Sequence, residues 1–178
     1  MEIKDVLMLR PNAKMRRKAT IRKSKASPAV KGNVRKADSF REAWARIKLA
    51  RGQEFFLEAV SIEESIIFDR LLAYLHRHHG FPVAPKKGHY PLGELVKELR
   101  RREPHRELRP GVSMADAISA WARERNECVH AIVRSDPGSP TKPVEEFLSL
   151  AEKAAEHGEA LARAVSRMKP PSESGDKS

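Results

Sequence analysis

Cysteine occurs once in the 178 residues, as Cys128, so no disulfide can form within the chain and a reducing compartment is the expected setting. Aromatic residues make up only 6% of the sequence, and β-branched residues are scattered rather than gathered into runs. The long segments are instead rich in Ala, Leu, Glu, Arg and Lys, all good helix formers, which predicts an all-α chain. No apolar run approaches the ~20 residues that a bilayer requires. The beginning, MEIKDVLMLRP, carries acids and an early proline where a signal peptide would have an apolar core. A cytoplasmic protein is therefore expected. Also missing are a glycine-rich phosphate loop, a serine nucleophile elbow and a zinc-finger spacing, so neither a cofactor nor a metal is expected.

What the chain has in excess is positive charge, and it is unevenly placed. Residues 1–50 hold 15 Lys or Arg against 4 Asp or Glu, which is the entire net charge of +11, because the other 128 residues carry 20 of each. The centre of this region, MRRKATIRKSKASPAVKGNVRKAD, has no aromatic residue and no sustained periodicity. A mobile arm over residues 1–37 is expected from that composition. Arms of this kind attract polyanions by counterion release without reading sequence, which makes Arg16, Arg17, Lys18, Arg22, Lys23 and Lys25 candidate RNA-binding residues. A solubilising tail or an unprocessed leader would show the same composition.

Beyond the arm the periodicity predicts helices. Ser39 with Glu42 has the spacing of a capping box, opening a short helix through REAWARIKLA that Gly52 interrupts. From about Gln53 to His79 apolar residues recur at Phe56, Val60, Ile67, Leu71 and Tyr74, and Gly80 takes the usual place past a helix end. LGELVKELRRR forms a short helix before Pro104. Ser113 with Asp116 caps a helix through ADAISAWARERNECVHAIV, SDPGSPTKP breaks it, and a last helix follows Pro143. The expected organisation is a basic arm (1–37), a helical bundle (38–169) and a polar tail (170–178).

The fourth of these helices contains an anomaly. At about 100° per residue, Ile118, Trp121, Arg125, Cys128 and Ile132 share one narrow sector, with an arginine at its centre. A guanidinium does not lose its charge, and burying it without a partner costs several kcal/mol. Either a carboxylate from a neighbouring helix (Glu63, Glu64 or Asp69) or an anion from outside must meet it. Asn126 and His130 lie one turn apart on the adjoining flank, so the three polar residues form a notch beside an apolar face.

Arg125-Asn126-Glu127-Cys128-Val129-His130 resembles the R-x4-H motif of HEPN domains, including the polar residue that often follows the arginine. EESIIFDRLLAYL is similar to the first helix of several HEPN groups, and the resemblance spans about residues 53–168. It implies a HEPN-like four-helix bundle and a metal-independent endoribonuclease that cleaves RNA by attack of its own 2′-hydroxyl, leaving a 2′,3′-cyclic phosphate. It further implies a homodimer that pairs two motifs across its interface, and a toxin or defence role that would involve an antitoxin. In that reading Arg125 clamps the phosphate, His130 is general acid or base, Asn126 orients one of them, and Glu63 and Asp69 support the site. The chain departs from nucleotidyltransferase-paired HEPN toxins in having Ile132 where they often carry a tyrosine. Silencing by modification of such a tyrosine is thus not implied.

Other readings stand beside this one. Arg125 could be satisfied within the bundle by Glu63 or Asp69, and His130 could be a helix-end histidine favoured by the dipole. HRHHG (76–80) places His76 and His79 a turn apart but brings no cysteine or acid at ligand spacing, so helix-end cations are the simpler account. Cys128 reads as a small buried hydrophobe. The functions that compete with a nuclease are a non-catalytic RNA-binding module driven by the arm and a helical dimerisation module.

Overall fold

The computed structural model describes residues 31–85, 89–131 and 143–170. Arg16, Arg17, Lys18, Arg22, Lys23, Lys25, Ile132, most of the SDPGSPTKP break and nearly all of the polar tail lie outside the described residues. The chain is mostly helical, as its composition predicts. Among the described residues the elements are α1 (Lys31–Gly52), α2 (Phe56–His79), α3 (Leu92–Arg102), a hairpin of β1 (Glu107–Arg109) and β2 (Val112–Ser113), α4 (Met114–Ala131) and α5 (Val144–Ser166). The chain divides into Met1–Ala37 and Asp38–Ser178, and the hydrophobic core lies in the second part.

The first helix differs from its expectation. It begins at Lys31, upstream of the predicted Ser39 cap, and is 22 residues long rather than short. Lys31, Arg35, Lys36 and Ala37 are good helix formers, and each residue added to an existing helix gains a backbone hydrogen bond at little cost, so the turn starting at Ser39 is not the first. Its end is a Schellman motif. The Phe55 N–H donates to the Ala50 carbonyl at 2.8 Å and the Glu54 N–H to the Arg51 carbonyl at 3.2 Å. Glu54 takes the left-handed conformation, φ 61°, that this motif requires and that glycine ordinarily supplies.

α2 follows directly and is closed by Gly80 at φ 64°. Its inward residues Ala59, Val60, Glu63, Ile66, Ile67, Leu71, Tyr74 and Leu75 recur with helical period. α5 presents the complementary face, Ala151, Ala154, Ala155, Gly158 and Ala162, and packs against both α2 and α4. Small residues let the helix axes approach closely, which is why the α2–α5 seam has room for little else. α3 buries Leu92, Leu95, Val96 and Leu99 at the spacing of one helix face, and packs on α2 and α4.

The capping of α4 follows the sequence in half. Ser113 Oγ accepts from the Asp116 N–H at 3.4 Å, while the Asp116 carboxylate turns outward to Arg100 Nη2 at 2.7 Å rather than back to the cap. The hairpin before it was not anticipated. Its signal is Pro110-Gly111, with Gly111 at φ 77°, between two short segments whose residues pair as Glu107 with Ser113 and Arg109 with Val112.

Candidate functional site

α4 carries the candidate site because its apolar stripe is consumed by the chain's own core. Ile118, Trp121 and Cys128 are almost wholly buried, and the Trp121 indole N–H donates to the Ala154 carbonyl of α5 at 2.8 Å. α4 packs on α5, α3, α2 and the hairpin of the same chain, and Ile118, Trp121 and Cys128 are buried in that core.

Arg125 sits where that face meets solvent, with its side chain 23% exposed. Its Nη2 donates to Glu64 Oε1 of α2 in an ion pair, and its Nη1 to Asn126 Oδ1 at 2.7 Å. Its Nε is buried without a hydrogen-bond partner. The answer to the anomalous arginine is therefore a carboxylate, and it is Glu64 rather than Glu63 or Asp69. Consecutive helical residues point about 100° apart, so when Glu63 turns into the bundle Glu64 is left at the rim, facing α4. Glu63 is instead buried, with neither carboxylate oxygen hydrogen-bonded.

Asn126 and His130 are both exposed on the flank of α4. Asn126 is fixed by Arg125. His130 makes no hydrogen bond or ion pair with the described residues, and its imidazole is open to solvent. The site is thus a half-buried, preoriented guanidinium, an amide that accepts from it, and an exposed imidazole one turn further on.

Glu63 has a different setting. It is fully buried in the α2–α5 seam, and neither carboxylate oxygen has a hydrogen-bond partner. A Cβ at Gly158 would collide with Glu63 Oε2 and lie 2.8 and 2.9 Å from Trp121 Nε1 and Cζ2, so the carboxyl and the indole together fill the space that the glycine leaves. Burial, and then the negative Glu159 nearby, push the Glu63 carboxyl up to about 8, with Arg51 opposing. It is a neutral carboxylic acid at pH 7.

The histidine cluster at the end of α2 proves to be part of a polar clamp. Glu103 Oε1 accepts from the Tyr74 hydroxyl at 2.6 Å and lies 2.6 Å from His79 Nε2, while Glu103 Oε2 accepts from Arg106 Nε at 2.6 Å. Burial works to raise the Glu103 carboxyl, but the bonds from Tyr74, His79 and Arg106 outweigh it and hold the group below its ordinary range. No cluster of three or more possible metal ligands occurs among the described residues. Cys128 is buried, and burial followed by the nearby Glu127 pushes its thiol up, as suits a core residue rather than a nucleophile. No helix among the described residues is long and apolar enough to cross a membrane.

The chain matches no family model, no curated protein and no solved structure.

Proposed function

We propose that this protein is a metal-independent endoribonuclease of the HEPN kind, with Arg125, Asn126 and His130 of α4 as its reactive face and with α2 to α5 as its HEPN-like bundle. The observation that carries the reading is the exposure of His130, free of protein partners among the described residues, beside a guanidinium already held in one orientation. In this mechanism Arg125 offers its charge to the scissile phosphate. One imidazole takes the proton of the 2′-hydroxyl as that oxygen attacks phosphorus. The imidazole of a second copy gives a proton to the departing 5′-oxygen. The products are a 2′,3′-cyclic phosphate and a free 5′-hydroxyl, and the need for two imidazoles on opposite sides of the phosphorus makes a homodimer part of the proposal. The basic arm supplies RNA affinity of a kind that falls with salt. A toxin or defence role, with an antitoxin partner, belongs to the same proposal and rests on the resemblance alone.

A second reading is favoured by one specific observation. The Arg125 guanidinium is already neutralised by Glu64 and bonded to Asn126, as in an ion pair that pins α4 to α2. On that reading the chain is a non-catalytic RNA-binding module whose affinity lies in residues 1–37.

The two separate in one experiment. Wild type, His130→Ala and Arg125→Ala are incubated with total RNA and tRNA in EDTA, and the fragment ends are analysed. Cleavage by wild type alone, leaving cyclic phosphate ends, supports the nuclease. Salt-dependent binding by all three without any cleavage supports the second reading, and removal of residues 1–37 should then abolish nearly all affinity.

A further inference from the structure

The turn between α1 and α2 carries a surface that neither the R-x4-H face nor the arm accounts for. Phe55 is 58% exposed, and Leu49 and Leu148 beside it are 56% and 39% exposed. An exposed phenylalanine is uncommon in itself, and here it forms the ridge between two cavities. One, of about 240 Å³, runs from Phe55 and Phe56 to Phe147, Leu148 and Ala151 of α5. The other, of about 250 Å³, lies between Phe55 and the Ala45, Leu49 and Ala50 side of α1. Each is wide enough to receive a large aliphatic side chain. Apolar patches with polar borders mark binding surfaces in soluble proteins.

The border has one predominant sign. Glu54 and Glu58 line the first cavity, and Glu42 and Glu58 line the second. Among the described residues the one cation on either border is Arg46, whose Nε donates to Glu42 Oε1 at 3.0 Å. A chain with net charge +11 thus keeps an acidic rim around its exposed phenylalanine. Such a rim repels phosphates, so the surface is not an extension of the RNA face. The local backbone adds an independent observation. Glu54 holds the left-handed conformation in which glycine is unstrained. The chain accepts that strain and places a carboxylate at the rim, and strain of this sort gathers at functional surfaces.

We infer that the two cavities flanking Phe55 bind a basic amphipathic helix of a partner protein, with apolar side chains seated on either side of Phe55 and Lys or Arg residues facing Glu42, Glu54 and Glu58. This is the helix-in-groove mode, in which anchors at positions i, i+3, i+4 and i+7 occupy the pockets and border charges select the partner. Neither the nuclease reading nor its alternative is needed for it.

The test uses the full chain and two fluorescein-labelled helical peptides with identical leucine spacing, one with lysines on its polar face and one with glutamates. Fluorescence anisotropy at low salt should show the lysine peptide binding at least tenfold more tightly than the glutamate peptide. Phe55→Ala should weaken it at least tenfold, and Glu54→Gln with Glu58→Gln should flatten its salt dependence. Glu54→Gly should weaken binding while raising thermal stability, a divergence that a purely structural role would not produce. Equal affinity for the two peptides, or unchanged binding by Phe55→Ala, overturns the inference. So does a change in the chain's own oligomeric state on Phe55→Ala, measured by light scattering, since the occupant would then be a second copy.

Discussion

Glu63→Gln should make the protein more stable, and by an amount that depends on pH. The wild-type carboxyl ionises near pH 4.5 in the unfolded chain and is pushed up to about 8 in the fold by burial and by Glu159. A group whose folded pKa is raised favours the fold fully below its unfolded value and loses that advantage as pH rises through the folded one. A gap of about 3.5 pH units, at about 1.36 kcal/mol each, corresponds to a loss of about 5 kcal/mol between pH 4.5 and 8. That is a large share of the 5–15 kcal/mol that holds a typical domain together. Glutamine has nearly the shape of the protonated acid and does not titrate. Urea denaturation midpoints of the two proteins at intervals from pH 5 to 9 should nearly coincide at pH 5, diverge steadily through pH 6 and 7, and become parallel above pH 8. Other titrating groups are common to both proteins and cancel in the difference. A difference that stays constant over this range would refute the argument, since it would mean that Glu63 is solvated or paired when ionised.

Gly158→Ala should destabilise by about 2 kcal/mol, because the strain of crowding Glu63 and Trp121 exceeds the ~1 kcal/mol gained in helix propensity, and urea midpoints would show it. Glu64→Ala should cost about 1–2 kcal/mol by leaving the half-buried Arg125 without its carboxylate, and adding Arg125→Met should restore part of that loss; a strictly additive double variant would contradict the pairing. Glu54→Gly should stabilise by about 1 kcal/mol through relief of left-handed strain, read as a rise in thermal midpoint. The Cys128 thiol should resist a disulfide reagent in the native protein and react fully in urea, since it is buried and its ionisation is suppressed.

Helix positions were legible where one face is apolar and both ends are punctuated. LGELVKELRRR is the whole of α3, Gly80 closes α2 in the left-handed conformation, and Ser113 caps α4. The α1 start was misjudged because a capping spacing inside a run of helix formers does not stop the helix from extending upstream. The hairpin at Pro110-Gly111 was missed because strands of three and two residues are too short to show a period of two. Of the site, the polar notch on α4 could be placed from spacing alone, but its carboxylate could not. Glu63 and Glu64 are adjacent and chemically identical, and only the phase of α2 relative to α5 decides which one is buried.

These two glutamates show how one helix accommodates two charges that its apolar pattern does not allow for. Glu64 lies at the rim and meets the Arg125 guanidinium, and the pair fixes Arg125 at the edge of the exposed flank. Glu63 lies one residue earlier, where no cation reaches hydrogen-bonding distance, and it resolves the same problem by holding its proton. If the positions were exchanged in role, Arg125 would lose its counterion and the seam would gain a charge. The orientation of the guanidinium therefore depends on the packing of α2 against α5, and through it on the glycine at 158. A cavity-filling change at that glycine should alter RNA cleavage as well as stability, because turning α2 by even part of a residue's angle moves Glu64 away from Arg125. Cleavage by Gly158→Ala under conditions where it is fully folded should thus fall towards that of Glu64→Ala, whereas wild-type cleavage in a folded Gly158→Ala protein would show that the seam and the reactive face are independent.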